Sequence, residues 1–443
     1  MALTVHPFRT RFAMESIRYS NLLINFTTEF SPLWNDKGAG SENPVSFWRP
    51  VPSSDFLNDF FPLGDLVVGG YDNVNKHRIV AVVSETHVVG LQRALSAPVE
   101  YDLVWKDSGS NAYADGSIWR PIPPQGYVAL GLVCGIGHDK PSRNAIRCVR
   151  ADLVIASYIS DLVWNDKGSG ALKDFSAWNI APPGAASGEA YFSAGTFVGA
   201  DSYTKPTTHI AAYSLRMQIQ QTVSNAPPAP ALPGYRQPSP FEAAHLTHTC
   251  EIAWFTVKDP NLHPIEQLRT SPTYRLERSD RYVLVGFGHN QTSVNQTFKW
   301  TATRGENGAN STTLTNTTAI EVGGEWQFSL LGSSIKFSAK LSKSLTHTET
   351  SSNGWTTSTA FEIAAAVPAN KAVAVYLIQS DYRLLRHNGT QVASDVSYTD
   401  GDSVYWSEYP PTRECTVTCT PLPDQALRGA SKTPTQAPRP PAI

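Results

Sequence analysis

Apolar and polar residues alternate along residues 319–345, whose sequence is AIEVGGEWQFSLLGSSIKFSAKLSKSL. A period of two is typical of a β-strand with one apolar face and one polar, solvent-facing face. The alternation breaks at residues 331–334, which include a glycine, and then resumes, so the pattern predicts a β-hairpin. Its apolar side chains are Ile320, Val322, Trp326, Phe328, Leu330, Leu331, Ile335, Phe337, Ala339 and Leu341. Its polar side chains are Glu321, Glu325, Gln327, Lys336, Ser338 and Lys340.

The length and register of this hairpin leave two interpretations open. If the numbers of facing residues sum to 665, Phe328 faces Phe337. Glu325 then faces Lys340, which places opposite charges together, as antiparallel strands prefer. Each arm has 11 residues, and a transmembrane β-strand needs about 9–11. A lone hairpin cannot cross lipid, so a membrane stem requires a closed barrel from several chains. The alternative is an ordinary amphipathic hairpin on a soluble sheet.

The first half of the chain repeats one tryptophan motif three times. In each copy two tryptophans lie 14 residues apart, and an aspartate follows the first tryptophan by two positions. The copies contain Trp34, Asp36 and Trp48; Trp105, Asp107 and Trp119; and Trp164, Asp166 and Trp178. The pattern of each unit predicts a sheet of about four short strands. Such a sheet is too small to bury its apolar face alone. We therefore expect a β-prism, with three sheets around a pseudo-threefold axis; another three-bladed arrangement is the alternative.

The repeated residues also have two interpretations. The paired tryptophans could form aromatic platforms for a sugar, with the three aspartates accepting hydrogen bonds from its hydroxyls. Alternatively, the tryptophans fill the core between the sheets and each aspartate stabilises its own glycine-rich turn.

Composition places the whole chain in the all-β class. The 443 residues include 11 Trp, 17 Tyr, 18 Phe, 30 Gly and 32 Pro, which suits many short strands and turns. A net charge of −2 gives no reason to expect nucleic acid as a partner. No apolar stretch reaches about 18 residues, so no transmembrane helix is expected. The N-terminus lacks the apolar core of a signal peptide, so we expect a protein that is made in soluble form.

Changes in composition predict four segments. Residues 1–221 form the β-prism-like domain, with repeats at about residues 17–96, 97–157 and 158–221. Residues 222–240 are a proline-rich linker, and residues 241–424 form a domain of long, Ser/Thr-rich strands. Residues 425–443 are expected to be a disordered tail or a propeptide.

The chain shows no sequence motif of a familiar enzyme. No Walker loop, G-x-S-x-G, H-E-x-x-H or C-x-x-C occurs, so neither catalysis nor a cofactor is expected. His245, His248 and Cys250 have poor spacing for a metal site, and no metal is expected there.

Residues 30–216 resemble the vacuolar protein sorting-associated protein 62-like family. The shared pattern is W-x-D-x-G-S-G followed by W-R-P-x-P-P-x-G-Y-x-x-L-G, and it is best preserved over residues 105–131. Repeat one departs from the pattern by an insertion after Pro52. Repeat three has Asn179 and Ile180 in place of the Arg-Pro pair, so its surface is expected to differ.

Residues 242–420 resemble the aerolysin-like β-pore-forming toxins of the epsilon-toxin and mosquitocidal-toxin branch. The resemblance lies in Ser/Thr-rich strands around one amphipathic hairpin, a V-P-x-N-K turn at residues 367–371 and a following apolar strand. It implies a long twisted sheet, a hairpin released on oligomerisation and a homo-oligomeric ring with a β-barrel stem. The apolar side chains of the hairpin would then face lipid and its polar side chains the pore lumen. Lys343 departs from this pattern, because it falls on the lipid side.

Together these resemblances imply a defensive, insecticidal pore-forming toxin that acts outside the cell at a target membrane. The N-terminal domain would bind a surface receptor, such as a glycan, and the second domain would form the pore. Before insertion, Trp326, Phe328, Ile335 and Phe337 are expected to pack on the second domain's own sheet. The alternative is a soluble carbohydrate-binding lectin or storage protein without pore activity.

Overall fold

The computed structural model describes residues 16–52, 57–207, 210–307, 325–329, 335–346 and 359–422. Antiparallel β-strands dominate these residues, which confirms the all-β class. Two short α-helices occur among them, α1 (Pro264–Thr270) and α2 (Lys343–Thr346). No helix in these ranges is long and apolar enough to cross a bilayer.

The three repeats of the N-terminal domain contribute 19 strands. Repeat one contains β1 (Ile17–Tyr19), β2 (Leu22–Thr27), β3 (Phe30–Asn35), β4 (Val45–Pro50), β5 (Phe61–Pro62), β6 (Leu66–Gly69) and β7 (Val80–Glu85). Repeat two contains β8 (Leu95–Ser96), β9 (Glu100–Lys106), β10 (Gly116–Ile122), β11 (Tyr127–Val128), β12 (Val133–Ile136) and β13 (Cys148–Arg150). Repeat three contains β14 (Val154–Ala156), β15 (Tyr158–Asn165), β16 (Ser176–Ala181), β17 (Glu189–Phe192), β18 (Phe197–Ala200) and β19 (Tyr213–Gln218).

Each repeat builds two small sheets in the same way. The strands that carry the tryptophan motif form three-stranded sheets in the orders β3-β4-β6, β9-β10-β12 and β15-β16-β18. The remaining strands of each repeat form a second sheet, with the orders β1-β2-β7-β5, β8-β13-β11 and β14-β19-β17. The equivalent strands β5, β11 and β17 therefore lie at one edge of each second sheet.

The first tryptophans of the three repeats meet in one cluster. Trp34, Trp105 and Trp164 are at most 5% exposed, and their ring centroids lie 5.7, 6.4 and 6.1 Å apart. Each indole N–H donates to a carbonyl of the next repeat, in cyclic order: Ala114 at 2.7 Å, Lys173 at 2.8 Å and Asn43 at 2.8 Å. This cyclic pattern confirms the predicted pseudo-threefold arrangement.

The repeated aspartates and the second tryptophans are also buried. Each aspartate accepts a backbone N–H nine residues later, from Val45, Gly116 or Phe175, at 2.9, 3.2 and 2.8 Å. The indoles of Trp48, Trp119 and Trp178 donate to a serine two residues earlier. The sugar-platform interpretation is therefore wrong for all nine side chains, because each is at most 8% exposed and cannot stack on a ligand: Trp34, Asp36, Trp48, Trp105, Asp107, Trp119, Trp164, Asp166 and Trp178.

Ten strands, several of them long, are described in the second domain. They are β20 (Gln220–Val223), β21 (His245–Ala253), β22 (Thr273–His289), β23 (Gln296–Asn307), β24 (Glu325–Ser329), β25 (Lys336–Lys340), β26 (Thr359–Val367), β27 (Ala372–Arg386), β28 (Val396–Tyr409) and β29 (Thr416–Pro421). Eight of them form one sheet in the order β20-β21-β22-β27-β28-β23-β26-β29. β24 and β25 belong to a different sheet.

The proline-rich segment at residues 222–240 packs against this large sheet. Leu232 is 5% exposed, and its N–H donates to Ser407 Oγ at 2.9 Å. The ring of Tyr235 stacks on His289 with a centroid separation of 4.6 Å. The segment is therefore a packed strap across the sheet rather than only a spacer between domains.

Replacing Trp164 by alanine tests the tryptophan cluster. We expect the free energy of unfolding to fall by about 3–5 kcal/mol, because the change leaves a large cavity between three sheets. Urea unfolding measures it. Tyr113→Ala is the control, because Tyr113 is 86% exposed and surface changes usually stay within about 0.5 kcal/mol. Equal losses in the two variants would contradict a shared core.

Candidate functional site: the docked hairpin

The strands β24 and β25 form the predicted hairpin, and their register matches the prediction pair by pair. Phe328 faces Phe337 and Glu325 faces Lys340, so the numbers of facing residues sum to 665. The predicted second arm is too long, however. β25 ends at Lys340, and α2 begins at Lys343.

The helical turn is fixed by burial and by contacts with the second domain. Leu341 and Leu345 are 4% and 0% exposed, and the carbonyl of Leu345 accepts hydrogen bonds from Arg278 and Tyr382. A continued strand would have placed Lys343 on the same apolar face as these leucines. The helical turn from Lys343 interrupts this alternation, while both leucines stay buried.

Part of the predicted hairpin lies outside the described residues. This applies to Ile320, Glu321, Val322, Leu330 and Leu331. For the β24 residues Glu325, Trp326, Gln327 and Phe328 the backbone pairing is described and the side-chain burial is not.

The free edge of β25 pairs with β17 of the third repeat. The two strands run antiparallel, from Glu189 opposite Lys340 to Phe192 opposite Phe337. The second sheet of repeat three therefore has the order β14-β19-β17-β25-β24. The hairpin was expected to pack on the sheet of the second domain, but β25 pairs with β17 of the N-terminal domain, whose edge offers backbone groups that β25 satisfies.

Four hydrogen bonds fix this pairing. Ser193 donates its N–H to the carbonyl of Lys336 at 2.7 Å, and its Oγ accepts the N–H of Lys336 at 2.8 Å. At the other end, Gly188 N–H donates to the carbonyl of Lys340 at 2.9 Å. Ser338 is fully buried, and its Oγ accepts the N–H of Ala185 at 2.8 Å. Ser338 thus bonds to the N-terminal domain here, whereas the sequence pattern placed it on the polar face of the hairpin.

The apolar face of β25 enters a core shared by both domains. Ile335, Phe337 and Ala339 are at most 2% exposed. The ring centroids of Phe337 and of Phe255 in the second domain lie 5.6 Å apart. Phe255 in turn lies 4.7 Å from Phe192 of β17. The hairpin therefore joins the two domains through both its backbone and its apolar side chains.

The charged ends of the hairpin lie nearer to solvent. Lys336 Nζ donates to Ser160 Oγ at 2.8 Å and forms an ion pair with Asp161. The Asp161 side chain is 73% exposed, so this pair contributes little to stability. Lys340 is exposed.

A buried arginine of the second domain holds the far end of the hairpin. Arg278 Nη1 donates to the carbonyls of Ser344 and Leu345 at 3.0 and 3.1 Å, while its other nitrogens bond Asp280 at 2.8 Å. Tyr382 also donates its hydroxyl to Leu345 at 2.8 Å, and burial raises the pKa of Tyr382. Sequence reasoning missed Arg278. The signal was an arginine and an aspartate two residues apart on β22, which share one face of that strand.

The three repeats differ at the edge where the hairpin docks. The strands β5 and β11 have two residues each, whereas β17 has four. Alignment on Gly64 and Gly195 places Pro62 of repeat one at the position of Ser193. Proline has no N–H to donate. Repeat one therefore cannot form the bond that Ser193 makes to the carbonyl of Lys336.

Comparison with known proteins gives a family match and several structural similarities, two of which follow. The profile of the family described as "Vacuolar protein sorting-associated protein 62" matches residues 1–230. GNIP1Aa from Chromobacterium piscinae is similar at 26% identity and a TM-score of 0.35, over 43% of this chain and 37% of that one. Cry35Ab1 is similar at 11% identity and a TM-score of 0.37, over 89% of this chain and 91% of that one. No curated protein matches the chain.

Two variants at Ser193 test how the hairpin is held. Ser193→Ala removes the acceptor of the Lys336 N–H, and an unsatisfied buried donor costs about 1–3 kcal/mol. Ser193→Pro also removes the donor to the Lys336 carbonyl, so its effect should be larger. Hydrogen exchange should accelerate at residues 335–341 in the order wild type, alanine, proline.

Exchange in the tryptophan-bearing strand β9 is the internal control for these variants and should not change. Unaltered protection of residues 335–341 in the proline variant would contradict docking through β17.

Proposed function

The chain belongs to the vacuolar protein sorting-associated protein 62 family, and we propose that it is a pore-forming protein whose membrane-inserting hairpin is stored on that family's threefold domain. One observation carries the proposal. An amphipathic hairpin is held by an edge strand of the N-terminal domain, where the apolar face of β25 is buried between the two domains.

These contacts are of a kind that a pore can replace. Backbone pairing with β17 can be exchanged for pairing with the hairpins of neighbouring copies in a closed barrel. The apolar face of Phe337 and Ala339 passes from a protein core to lipid, and so remains in apolar surroundings. Glu325, Gln327, Lys336 and Lys340 then face the lumen.

Insertion requires a longer strand than β25. A transmembrane strand needs about 9–11 residues, whereas β25 ends at Lys340. Residues 341–345 would extend the strand once α2 unwinds and Arg278 releases the carbonyls of Ser344 and Leu345. In this scheme Arg278 is a second restraint on the hairpin, beside β17.

The N-terminal domain would bring the protein to an extracellular target surface. The tryptophans of its repeated motif are buried, so a receptor, glycan or otherwise, would meet the loops instead. Tyr113 and Leu172 support this role, because they occupy equivalent loop positions in repeats two and three and are 86% and 81% exposed. We propose no catalytic activity and no cofactor for either step. An insect target remains part of this proposal.

A soluble lectin or storage protein is the second candidate. The observation in its favour is the burial of every described apolar residue of β25. Such burial suits equally well a hairpin that stays paired with β17 permanently. The two candidates differ in whether membranes become permeable.

A disulfide between Ala190 and Ala339 tests the proposal. These residues are directly opposed on β17 and β25, at the short Cα separation that a disulfide requires. We expect the Ala190→Cys/Ala339→Cys protein to bind susceptible insect cells as wild type does, but to release no dye from them. Adding a reductant should restore dye release.

Each single cysteine variant is a control and should release dye with or without reductant. Undiminished release by the oxidised double variant would show that the hairpin need not leave β17. Failure of the wild type to permeabilise cells to which it binds would favour the lectin or storage protein.

A further inference from the structure

Repeat two brings three potential metal ligands together outside the hairpin site. Ligand atoms of Asp107, Asp115 and His138 all lie within 4.8 Å of one another. Asp107 follows the first tryptophan of the repeat, Asp115 immediately precedes β10, and His138 follows β12. No other group of three such side chains occurs in the described ranges.

The backbone fixes these residues in place. Asp107 is 3% exposed, and its Oδ1 accepts the N–H of Gly116 at 3.2 Å. The N–H of Gly137 donates to the carbonyl of Asp115 at 2.9 Å, which ties the two ligand-bearing loops together. His138 Nε2 lies 2.7 Å from Asp107 Oδ1. The His138 side chain is 32% exposed and Asp115 is exposed, so an ion can enter from solvent.

Repeat one builds the same frame but keeps only one of the three potential ligands, a carboxylate. The N–H of Gly70 donates to the carbonyl of Pro44 at 2.8 Å, as Gly137 does to Asp115. Asp36 corresponds to Asp107, and Tyr71 takes the place of His138. Burial, followed by a hydrogen bond to Asp36, raises the pKa of Tyr71 to about 12. The phenol therefore stays protonated and satisfies Asp36 as a donor.

Repeat three is intermediate between the other two. It has both carboxylates, Asp166 and Asp174, but it carries Tyr203 at the histidine position. The Tyr203 hydroxyl hydrogen-bonds with both carboxylates. The same loop arrangement thus accommodates a tyrosine beside two aspartates. Among the three repeats, only repeat two has an imidazole beside two carboxylates.

We propose that Asp107, Asp115 and His138 form a binding site for a divalent transition-metal ion of the Zn²⁺ type. Imidazole nitrogen with carboxylate oxygen suits zinc and its neighbours, whereas Ca²⁺ and Mg²⁺ prefer oxygen alone. On binding, His138 Nε2 would donate its lone pair to the metal in place of its present contact with Asp107 Oδ1. Water fills the remaining positions on the exposed side.

The position of the site gives it a role in the N-terminal domain. Asp107 and Asp115 bracket the loop that carries the exposed Tyr113, and the metal would link both ends of this loop to the end of β12. An occupied site would therefore hold Tyr113 in one position. Metal binding is independent of pore formation, so either proposal can fail alone.

Titration of the metal-free full chain with Zn²⁺ in a calorimeter tests this site. We expect one equivalent to bind to the wild type. His138→Tyr, which copies the arrangement of repeat three, should lose this equivalent. Asp115→Asn should lose it too, and it changes one exposed group only.

His77→Tyr is the matched control, because His77 is exposed in repeat one and should not affect binding. Titration with Co²⁺ should give a visible absorption band in the wild type and in His77→Tyr, but not in His138→Tyr or Asp115→Asn. Equal Zn²⁺ stoichiometry in all four proteins would overturn the proposal. Binding of Ca²⁺ in preference to Zn²⁺ would also overturn it, because it would exclude the imidazole as a ligand.

Discussion

The pairing of β25 with the edge of β17 is the interaction on which the arrangement of the two domains depends. A free sheet edge carries backbone N–H and carbonyl groups that need partners, and proteins shorten, block or cover such edges. Repeat one shortens its edge strand to two residues and ends it with Pro62. Repeat two has an equally short strand. Repeat three keeps four residues at its edge, and the second domain covers them with its hairpin.

This covered edge joins two different kinds of architecture. The N-terminal domain is held by a closed ring of interactions, in which each of three indoles donates to the next repeat. The second domain is an open sheet of long strands. In the described residues, its hairpin pairs with repeat three and with no other repeat. The threefold domain and the hairpin of the second domain thus meet at one place. Aromatic packing among Phe192, Phe255 and Phe337 adds the apolar part of that contact.

Local pattern was sufficient to predict the elements of this arrangement. The alternation of apolar and polar residues predicted the hairpin and its register, because both depend only on neighbouring residues and on the length of the turn. The equal spacing of the tryptophans likewise predicted a threefold domain. Two interpretations of Trp105 and Asp107 remained open, and only their burial decided between a sugar platform and a core.

Other features depend on contacts between distant parts of the chain. Ala190 and Ala339 face each other across the two domains, and no local pattern specifies that pairing. The end of β25 at Lys340 follows from the burial of Leu345 and from its carbonyl bonds to Arg278, both of which are tertiary. Leu232 packs on the large sheet although its surroundings are rich in proline, whose composition alone indicates a linker.

Cysteine scanning of the whole hairpin on membranes tests the central claim most directly. Single cysteines at successive positions from Trp326 to Leu345, each carrying an environment-sensitive dye, report whether a side chain faces lipid or water. The account predicts that the dye signals alternate with a period of two once the protein is membrane-bound, with Phe328 and Phe337 in lipid and Gln327 and Ser338 in water. It also predicts that the alternation continues past Lys340, where the soluble form has α2. Signals that stay the same in solution and on membranes, or that show no period of two, would contradict it.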